Sequence, residues 1–363
     1  MKDKQIEQLF FIQRDATVGV LDGALLFLNP ASQARYPDLC PGASADALLP
    51  RELLERTEET FSASATIREE LCTVLSSRAD DIRLYTLIPQ EKPGEEEGRL
   101  LENVCGAMRR TLTVLSMATE LLGPAIERLA EPRQTAHLTV INKSFYQLQR
   151  LCDNLDSFVR LTEGRGRLKL ENIELIGFCR DLLQSVDHFA GKMSYQLHFE
   201  TEHEHLVGAI DAPKVTRLLL NLISNSLKRL PPRGSIRLCL TTAEADVLIA
   251  IQDTGTGIPA AELPHVFTHY ERPQTADSPT GVGMGLALAQ EIANLHGGTL
   301  FVTSHKNKGT KVLLRLPLHR LPPSGLLEQA RPLPQDGNNG MHIILTELVD
   351  VLDDEAYSPK YRD

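Results

Sequence analysis

Residues 221–310 constrain the fold most, because this segment joins a helical pattern, a strand pattern and glycine-rich turns in one order. In residues 217–229, leucines and an isoleucine recur with helical periodicity. Asn221, Asn225 and Lys228 follow at steps of four and three residues, so they share one face of the predicted helix. Amide oxygens suit Mg²⁺, and a lysine neutralises phosphate. Taken alone, the pattern is more typical of a solvated helix face.

An apolar run over residues 247–251 predicts a strand that is closed by Asp253. A carboxylate in this position only accepts hydrogen bonds, so it suits an exocyclic amino group such as that of adenine. Gly255 and Gly257 permit positive φ and a close approach of a ligand to the backbone. The alternative interpretation is an ordinary turn.

A polar stretch and a second glycine-rich turn follow. Residues 268–280 have the composition of a mobile lid. Gly281, Gly283 and Gly285 then lead into a predicted helix over residues 287–296, whose N-terminal N–H groups would face phosphates. This turn matches neither the P-loop pattern nor the dinucleotide-binding fingerprint.

Taken in order, these motifs resemble the ATP-binding domain of sensor histidine kinases. They read Asn-x-x-x-Asn-x-x-Lys, Asp-x-Gly-x-Gly-Ile-Pro, Phe-x-x-Tyr, Gly-x-Gly-x-Gly-Leu, His-Gly-Gly and Gly-Thr. The wider superfamily includes DNA gyrase, MutL and a heat-shock chaperone. The resemblance implies an α/β sandwich over residues 168–319 that binds ATP and Mg²⁺. It implies that Asp253 reads the adenine, that Asn221 and Asn225 hold Mg²⁺ and phosphate, and that Lys228 meets phosphate.

The resemblance also implies the full set of nucleotide-binding residues: Asn221, Asn225, Lys228, Asp253, Gly255, Gly257, Ile258, Arg272, Gly281, Gly283, Gly285, Leu286 and Thr310. The sequence departs from the family at two places. Arg229 stands where an aromatic residue or histidine usually flanks the adenine, and residues 306–310 lack the first glycine of the Gly-x-Gly-Thr motif.

Two apolar stripes precede this domain and predict a helical pair over residues 98–165. Their members alternate at steps of three and four residues, and residues 130–134 form a breaker between them. The stripes need partners, either in a four-helix bundle of a homodimer or within the chain, against another domain. They comprise Leu101, Val104, Met108, Leu112, Leu115, Thr119 and Leu122, then Leu138, Ile141, Phe145, Leu148, Cys152, Leu155 and Val159.

The helical pair is similar to the dimerisation and phospho-acceptor module of the same kinases, with one departure. Gly106 and Ala107 stand where the family carries its acceptor histidine and the acidic neighbour. Neither side chain has a heteroatom, so neither can take a phosphoryl group or handle a proton. Cys105 is expected to be a buried thiol, and His137 a solvated residue. We therefore expect an intact ATP site in a degenerate kinase without a catalytic acceptor.

The N-terminal residues 1–90 show a strand, an Asp-Gly turn, a strand and a short helix led by Asn29-Pro30. This order is similar to the opening of a PAS sensory domain, and an unrelated small α+β domain is the alternative. Strand-like runs over residues 65–76 and 82–88 would complete its sheet. Residues 89–98 read as a linker, and residues 320–363 as a linker and tail, with a strand or helix over residues 341–352.

Composition limits the function further. A net charge of −10 argues against a nucleic-acid-binding surface, and the six cysteines form no Cys-x-x-Cys pair. No apolar run approaches the length of a membrane span and no signal peptide is visible, so we expect a cytoplasmic protein. The fold class expected is therefore multidomain α+β.

Three functions remain open. The first is a homodimeric, histidine-kinase-like signalling protein that binds Mg-ATP without phosphorylating itself. The second is an active kinase that phosphorylates a partner protein, either on a histidine of another kinase's helical bundle or on a serine; the partners expected are a response regulator or another histidine kinase. The third is an ATP-gated clamp, which the order of the domains favours least.

Overall fold

A computed structural model describes residues 15–68, 70–79, 81–89, 95–129, 131–162, 166–190, 195–260, 262–263, 266–267, 284–322 and 339–358. The N-terminal part is an antiparallel sheet of five strands in the order β2-β1-β5-β4-β3. The strands are β1 (Ala16–Leu21), β2 (Ala24–Leu28), β3 (Thr60–Ile67), β4 (Glu70–Ala79) and β5 (Ile82–Pro89). The short helices α1 (Pro30–Arg35) and α2 (Arg51–Leu54) and the 3₁₀ helix Ala45–Ala47 lie between β2 and β3.

The first predicted elements of this sheet are present, and one later prediction is wrong. Asn29 caps α1, because its side chain accepts a hydrogen bond from the backbone N–H of Ser32. The run over residues 65–76 is divided between β3 and β4. Arg68 adopts a φ of 48° between them, so the chain turns back within a stretch whose composition alone favours one strand.

Two long helices follow the sheet. They are α3 (Glu95–Leu129) and α4 (Pro132–Thr162), so the predicted breaker is confirmed, with a proline in the first turn of α4. Arg109 of α3 donates hydrogen bonds to Asp153 and Asp156 of α4, at 2.9 and 3.2 Å. The linker prediction for residues 89–98 is wrong in its second half, because α3 already begins at Glu95, where acidic residues favour a helix N-terminus.

The C-terminal half is a second layered unit. Its strands are β6 (Glu171–Glu174), β7 (Gln196–Thr201), β8 (Val207–Ile210), β9 (Ser235–Ala243), β10 (Asp246–Asp253), β11 (Thr299–Ser304) and β12 (Thr310–Pro317). Helices α5 (Leu175–Ala190), α6 (Ala212–Leu227) and α7 (Gly285–Leu295) pack on the sheet. Within the main sheet, β7 and β9 are parallel and the other neighbours antiparallel, whereas β6 and β8 pair with each other in a separate antiparallel sheet. Apolar side chains of these helices and strands form one core.

The two halves share one sheet of ten strands, because β11 pairs with β3. Phe301 lies opposite Ala63 in this pairing, and its side chain belongs to the core of the N-terminal sheet. The guanidinium of Arg56 lies 3.5 Å from the centre of the Phe301 ring, a cation–π geometry. Thr299 donates a hydrogen bond to Glu52 at 3.2 Å. The junction thus combines strand pairing with side-chain packing.

The end of the chain corrects a prediction. Helix α8 (Asn339–Glu347) and the 3₁₀ helix Asp354–Tyr357 fold back onto α4 and α6. Tyr357 is only 2% exposed, so residues 339–358 are a packed element where the sequence suggested a tail. Among the described residues, no helix is both long and apolar enough to cross a membrane.

Candidate functional site

Asp253 stands at the end of β10 with its carboxylate buried, as the sequence predicts for the strand. It is 4% exposed. Its Oδ1 accepts hydrogen bonds from the backbone N–H groups of Gly255 and Thr310, at 2.8 and 3.1 Å. Its Oδ2 accepts one from the Ser226 hydroxyl at 3.1 Å. Since each carboxylate oxygen offers two lone pairs, Oδ2 keeps acceptor capacity for a further donor.

Two opposing effects determine the pKa of the Asp253 carboxyl. Burial raises the pKa of its carboxyl, while the hydrogen bonds from Gly255, Ser226 and Thr310 and the charge of Arg229 work against the rise. The net pKa lies above the ordinary value of 3.8. A buried carboxylate with a perturbed pKa at a strand end is typical of a functional site.

The glycines around Asp253 are required by close backbone contacts. Gly257 has a φ of 67°, and a methyl group there would lie 2.1 Å from the carbonyl oxygen of His305. Gly309 has a φ of 86°, and a methyl group there would lie 2.0 Å from the carbonyl oxygen of Asp253. Ile258 is buried beside this turn, and its N–H donates to the Ser304 hydroxyl at 2.8 Å. Backbone contacts therefore fix the turn after β10 against the turn between β11 and β12.

The missing glycine of the Gly-x-Gly-Thr motif has a structural explanation. Asn307 occupies that position with a φ of 63°, in the left-handed region. Asparagine enters this region more readily than most residues with a side chain. The N–H of Asn307 donates to the carbonyl of Thr256 at 2.7 Å, so the turn keeps its place without the glycine.

Arg229 binds the same glycine turn from the end of α6. Its guanidinium donates to the carbonyl of Gly257 at 3.2 Å, and its own carbonyl accepts from the N–H of Thr256 at 3.1 Å. Arg229 therefore connects α6 to the loop after β10. The residue that departs from the family pattern has a positioning role in this structure.

Asn221 and Asn225 lie near the beginning of α7, and Lys228 follows the end of α6. A methyl group at Gly285 would lie 3.0 Å from Asn221 Oδ1 and 3.7 Å from Asn225 Nδ2. Helix α7 begins with Gly285 and Leu286, and no side chain among the described residues caps its N-terminus. The structure thus brings the predicted amide pair next to the predicted phosphate-binding helix end.

A buried histidine fixes the far ends of the same helices. His296, which follows α7, donates from Nδ1 to the carbonyl of Ile292 at 2.8 Å and accepts at Nε2 from the N–H of Asp211 at 3.1 Å. Burial lowers the pKa of His296, in keeping with this neutral form. Asp211 in turn caps α6 through the N–H of Lys214. The histidine of the His-Gly-Gly motif therefore connects the C-terminus of α7 to the N-terminus of α6.

Three predicted site residues, Arg272, Gly281 and Gly283, lie outside the described residues, as does the predicted lid at 268–280. Conversely, the structure adds residues that the sequence did not single out. Arg150 of α4 donates to Asn221 Oδ1 at 3.2 Å, and Asp350 accepts from Lys228 at 2.6 Å. These partners are 71 and 122 residues apart in the chain, so no local pattern points to them.

Comparison with known proteins identifies the domain. Residues 210–320 match the family described as histidine kinase-, DNA gyrase B- and HSP90-like ATPase. The chain carries an ATPase domain of the histidine kinase family. The match covers α6, Asp253, both ends of α7 and Thr310, which are the residues that build the site. The family resemblance read from the motifs is confirmed.

The relatives include sensor histidine kinases. The chain is 29% identical over 244 residues to the sensor histidine kinase WalK of Bacillus subtilis, covering 64% of this chain and 39% of that protein. It is 29% identical over 216 residues to the alginate biosynthesis sensor protein KinB of Pseudomonas aeruginosa, covering 58% and 35%. The chain thus spans little more than a third of the length of these relatives.

Among solved structures, full-length ShkA in complex with AMPPNP shares the fold. The TM-score is 0.51 at 19% identity, over 62% of this chain and 47% of that one. This likeness supports the mixed α+β architecture with its histidine-kinase-type sheet.

The raised pKa of Asp253 predicts a specific pH dependence of stability. Between 3.8 and the higher pKa of the folded state, the folded protein binds more protons than the unfolded chain at this residue. The resulting contribution to the free energy of unfolding is fully present below pH 3.8 and is lost as the pH rises through the folded-state pKa of Asp253. Asp253→Asn removes it, so the stability of the native chain relative to the variant should fall with rising pH. Chemical denaturation of both proteins from about pH 4 to about pH 7 gives their free energies of unfolding at each pH. A constant difference between the two free energies over this range would contradict the prediction.

Proposed function

We propose that this chain binds Mg-ATP in its histidine-kinase-type domain, with Asp253 as the adenine-binding residue. The buried carboxylate of Asp253 carries the proposal, since Oδ2 accepts only the Ser226 hydroxyl among the described residues. An exocyclic amino group is the matching donor. The ShkA structure with AMPPNP supports the ligand class by fold.

The phosphates would lie at the other end of the site. Lys228 and the N-terminus of α7 supply positive charge, and the amides of Asn221 and Asn225 supply oxygen ligands. A Cβ at Gly285 would lie only 3.0 Å from Asn221 Oδ1, so the start of α7 lies directly against the amide that would hold Mg²⁺ and phosphate. When bound, Mg²⁺ would neutralise part of the phosphate charge.

Asp253→Asn tests the adenine contact without removing the supporting hydrogen bonds. The amide oxygen can still accept from Gly255 and Thr310, and the amide nitrogen can donate to Ser226. That nitrogen repels the adenine amino group, so the affinity for Mg-AMPPNP should fall by more than about tenfold. Isothermal titration calorimetry on both folded proteins gives the two dissociation constants. Equal constants would remove Asp253 from this role.

We infer further that the chain signals without phosphorylating itself at the family's position. Gly106 lies within α3, half-buried, and Ala107 next to it is exposed. Neighbouring Cys105 is buried, and burial raises the pKa of its thiol, so it is a poor nucleophile. ATP binding would then act through a change of conformation or of partner affinity, with a response regulator or another histidine kinase as the partner.

Incubation with γ-labelled ATP and Mg²⁺ separates this function from its alternatives. We expect no label on the chain and no steady hydrolysis, because the helix lacks an acceptor. Label transferred to an added response regulator or kinase would instead identify an active kinase, and steady turnover an ATP-gated clamp. Asp253→Asn is the control, since any genuine transfer should be lost in it. Phosphohistidine on the wild-type chain would contradict the proposal.

The helical pair supports a homodimer. Six members of the two apolar stripes remain exposed in one chain, although Leu112, Leu138 and Cys152 of the same stripes are buried. Such a surface in water favours association, and four helices around one core are the simplest arrangement. We propose residues 98–165 as the dimerisation module and residues 1–90 as a PAS-like sensory domain. The exposed members are Val104, Met108, Leu115, Leu122, Ile141 and Leu148.

Leu122→Glu tests the dimer. Leu122 is 52% exposed in one chain, and glutamate keeps the helix propensity, so the variant should fold normally. A charge in the buried seam should weaken dimerisation by at least about tenfold. Sedimentation equilibrium measures the constant. Leu26→Glu, on β2 and 42% exposed, is the matched control and should leave it unchanged. A monomeric wild-type chain would overturn the proposal.

A further inference from the structure

The C-terminal segment, residues 339–358, is anchored firmly beside the candidate nucleotide site. The side-chain amide of Asn142 donates to the carbonyl of Tyr357 at 3.0 Å, and the rings of Tyr146 and Tyr357 lie 5.4 Å apart. Its apolar residues join the core of the ATPase domain, so its position is set by packing as well as by charge. The buried set is Ile344, Leu345, Leu348, Val349, Leu352 and Tyr357.

Two carboxylates of this segment meet three cations from α4 and α6. Glu347 accepts from Arg150 at 3.2 Å and from Arg217 at 2.8 Å. Asp350 accepts from Arg150 at 2.8 Å and from Lys228 at 2.6 Å. The Glu347 side chain is 3% exposed, so these are desolvated ion pairs that depend on each other.

This ion-pair cluster overlaps the phosphate end of the site. Lys228, the predicted phosphate contact, is bound to Asp350 Oδ2. Asn221 Oδ1, the predicted Mg²⁺ ligand, accepts from Arg150. A phosphate on the same ammonium group would lie beside the carboxylate of Asp350, and two anions in so buried a place repel strongly. The carboxylate and the phosphate are therefore alternatives.

We propose that residues 339–358 are an internal ligand that competes with the phosphates of Mg-ATP for Lys228 and Arg150. This inference rests on the proposed function of the same site. In the docked state, Asp350 and Glu347 take the place of phosphate oxygens and the site has low affinity for nucleotide. Release of the segment allows Arg150 to turn from Asn221 Oδ1 to a phosphate, so that Arg150 becomes a phosphate-binding cation contributed by the helical pair and Asn221 Oδ1 becomes available to Mg²⁺.

The competition has a structural consequence for α4. Arg150 and Lys143 of α4 both bind the docked segment, Lys143 through the carbonyl of Leu352 at 3.2 Å and Asp354 at 2.6 Å. Nucleotide entry would remove these contacts and transfer Arg150 to the ligand. The binding of ATP would thus change how the helical pair is held against the ATPase domain.

Hydrogen exchange on the native chain tests the displacement. Saturating Mg-AMPPNP should slow exchange around Asp253 and speed exchange of residues 344–352 by at least about tenfold, because their amides lose protection when the segment leaves. Strand β4, remote from the site, should not change. Protection around Asp253 with unchanged or slower exchange in the segment would overturn the inference and leave the proposed function intact. No protection around Asp253 would overturn both.

Asp350→Asn supplies an independent measurement. It removes the negative charge that binds Lys228 and Arg150, so the apparent affinity for Mg-AMPPNP should rise by roughly tenfold or more as the fraction of competent protein increases. Asp354→Asn removes a charge from the same segment, where the side chain is 65% exposed and paired with Lys143, and is the matched control with an expected change below about twofold. Equal affinity of Asp350→Asn and the wild type in calorimetry would overturn the competition.

Discussion

The hydrogen bonds of the Asp253 carboxylate are the interaction on which the ATPase domain depends. This single group joins the end of β10 to the start of β12 through Thr310, to α6 through Ser226, and to its own turn through Gly255. A buried carboxylate without these donors would be strongly unfavourable, so the turns must close around it. The positive φ of Gly309 and the short approach of its backbone to Asp253 follow from the same requirement. Fold and candidate binding chemistry therefore share one residue.

A second group of charges links parts of the chain that are far apart in sequence. Arg150 lies on the helical pair, Lys228 at the end of α6, and Asp350 in the C-terminal segment. Because each charge is largely removed from water, none can lose its partner without a substitute. In the proposed competition, the substitute is the phosphate chain of a nucleotide. Packing of the apolar residues determines where the segment docks, and the ion pairs determine what can replace it.

The sequence predicts the ATPase domain well because its motifs are local. Asn221, Asn225 and Lys228 share a helix face by spacing alone, and Asp253 closes a strand whose apolar run is continuous. It fails where partners come from distant segments. Nothing in the neighbourhood of Arg150 indicates that its guanidinium reaches Asp350, 200 residues away, and the acidic end of the chain has the composition of a tail although Tyr357 is buried. The hairpin within residues 65–76 was missed because a turn at Arg68 has no glycine, asparagine or proline to mark it.

The pairing of β3 with β11 connects the N-terminal half to the ATPase domain through the backbone. Strands pair in steps of whole residues, so β3 cannot slide along β11 by a small distance; it either keeps the register of Ala63 with Phe301 or separates. Phe301 lies on β11 of the ATPase domain, and its ring packs in the core of the N-terminal half, so this residue belongs to both halves. Since β11 begins four residues after the end of α7, a rearrangement of the N-terminal core that moved this ring would also displace the helix whose other end forms the proposed phosphate site. A structural change in the N-terminal half would then affect the ATPase domain in an all-or-none manner.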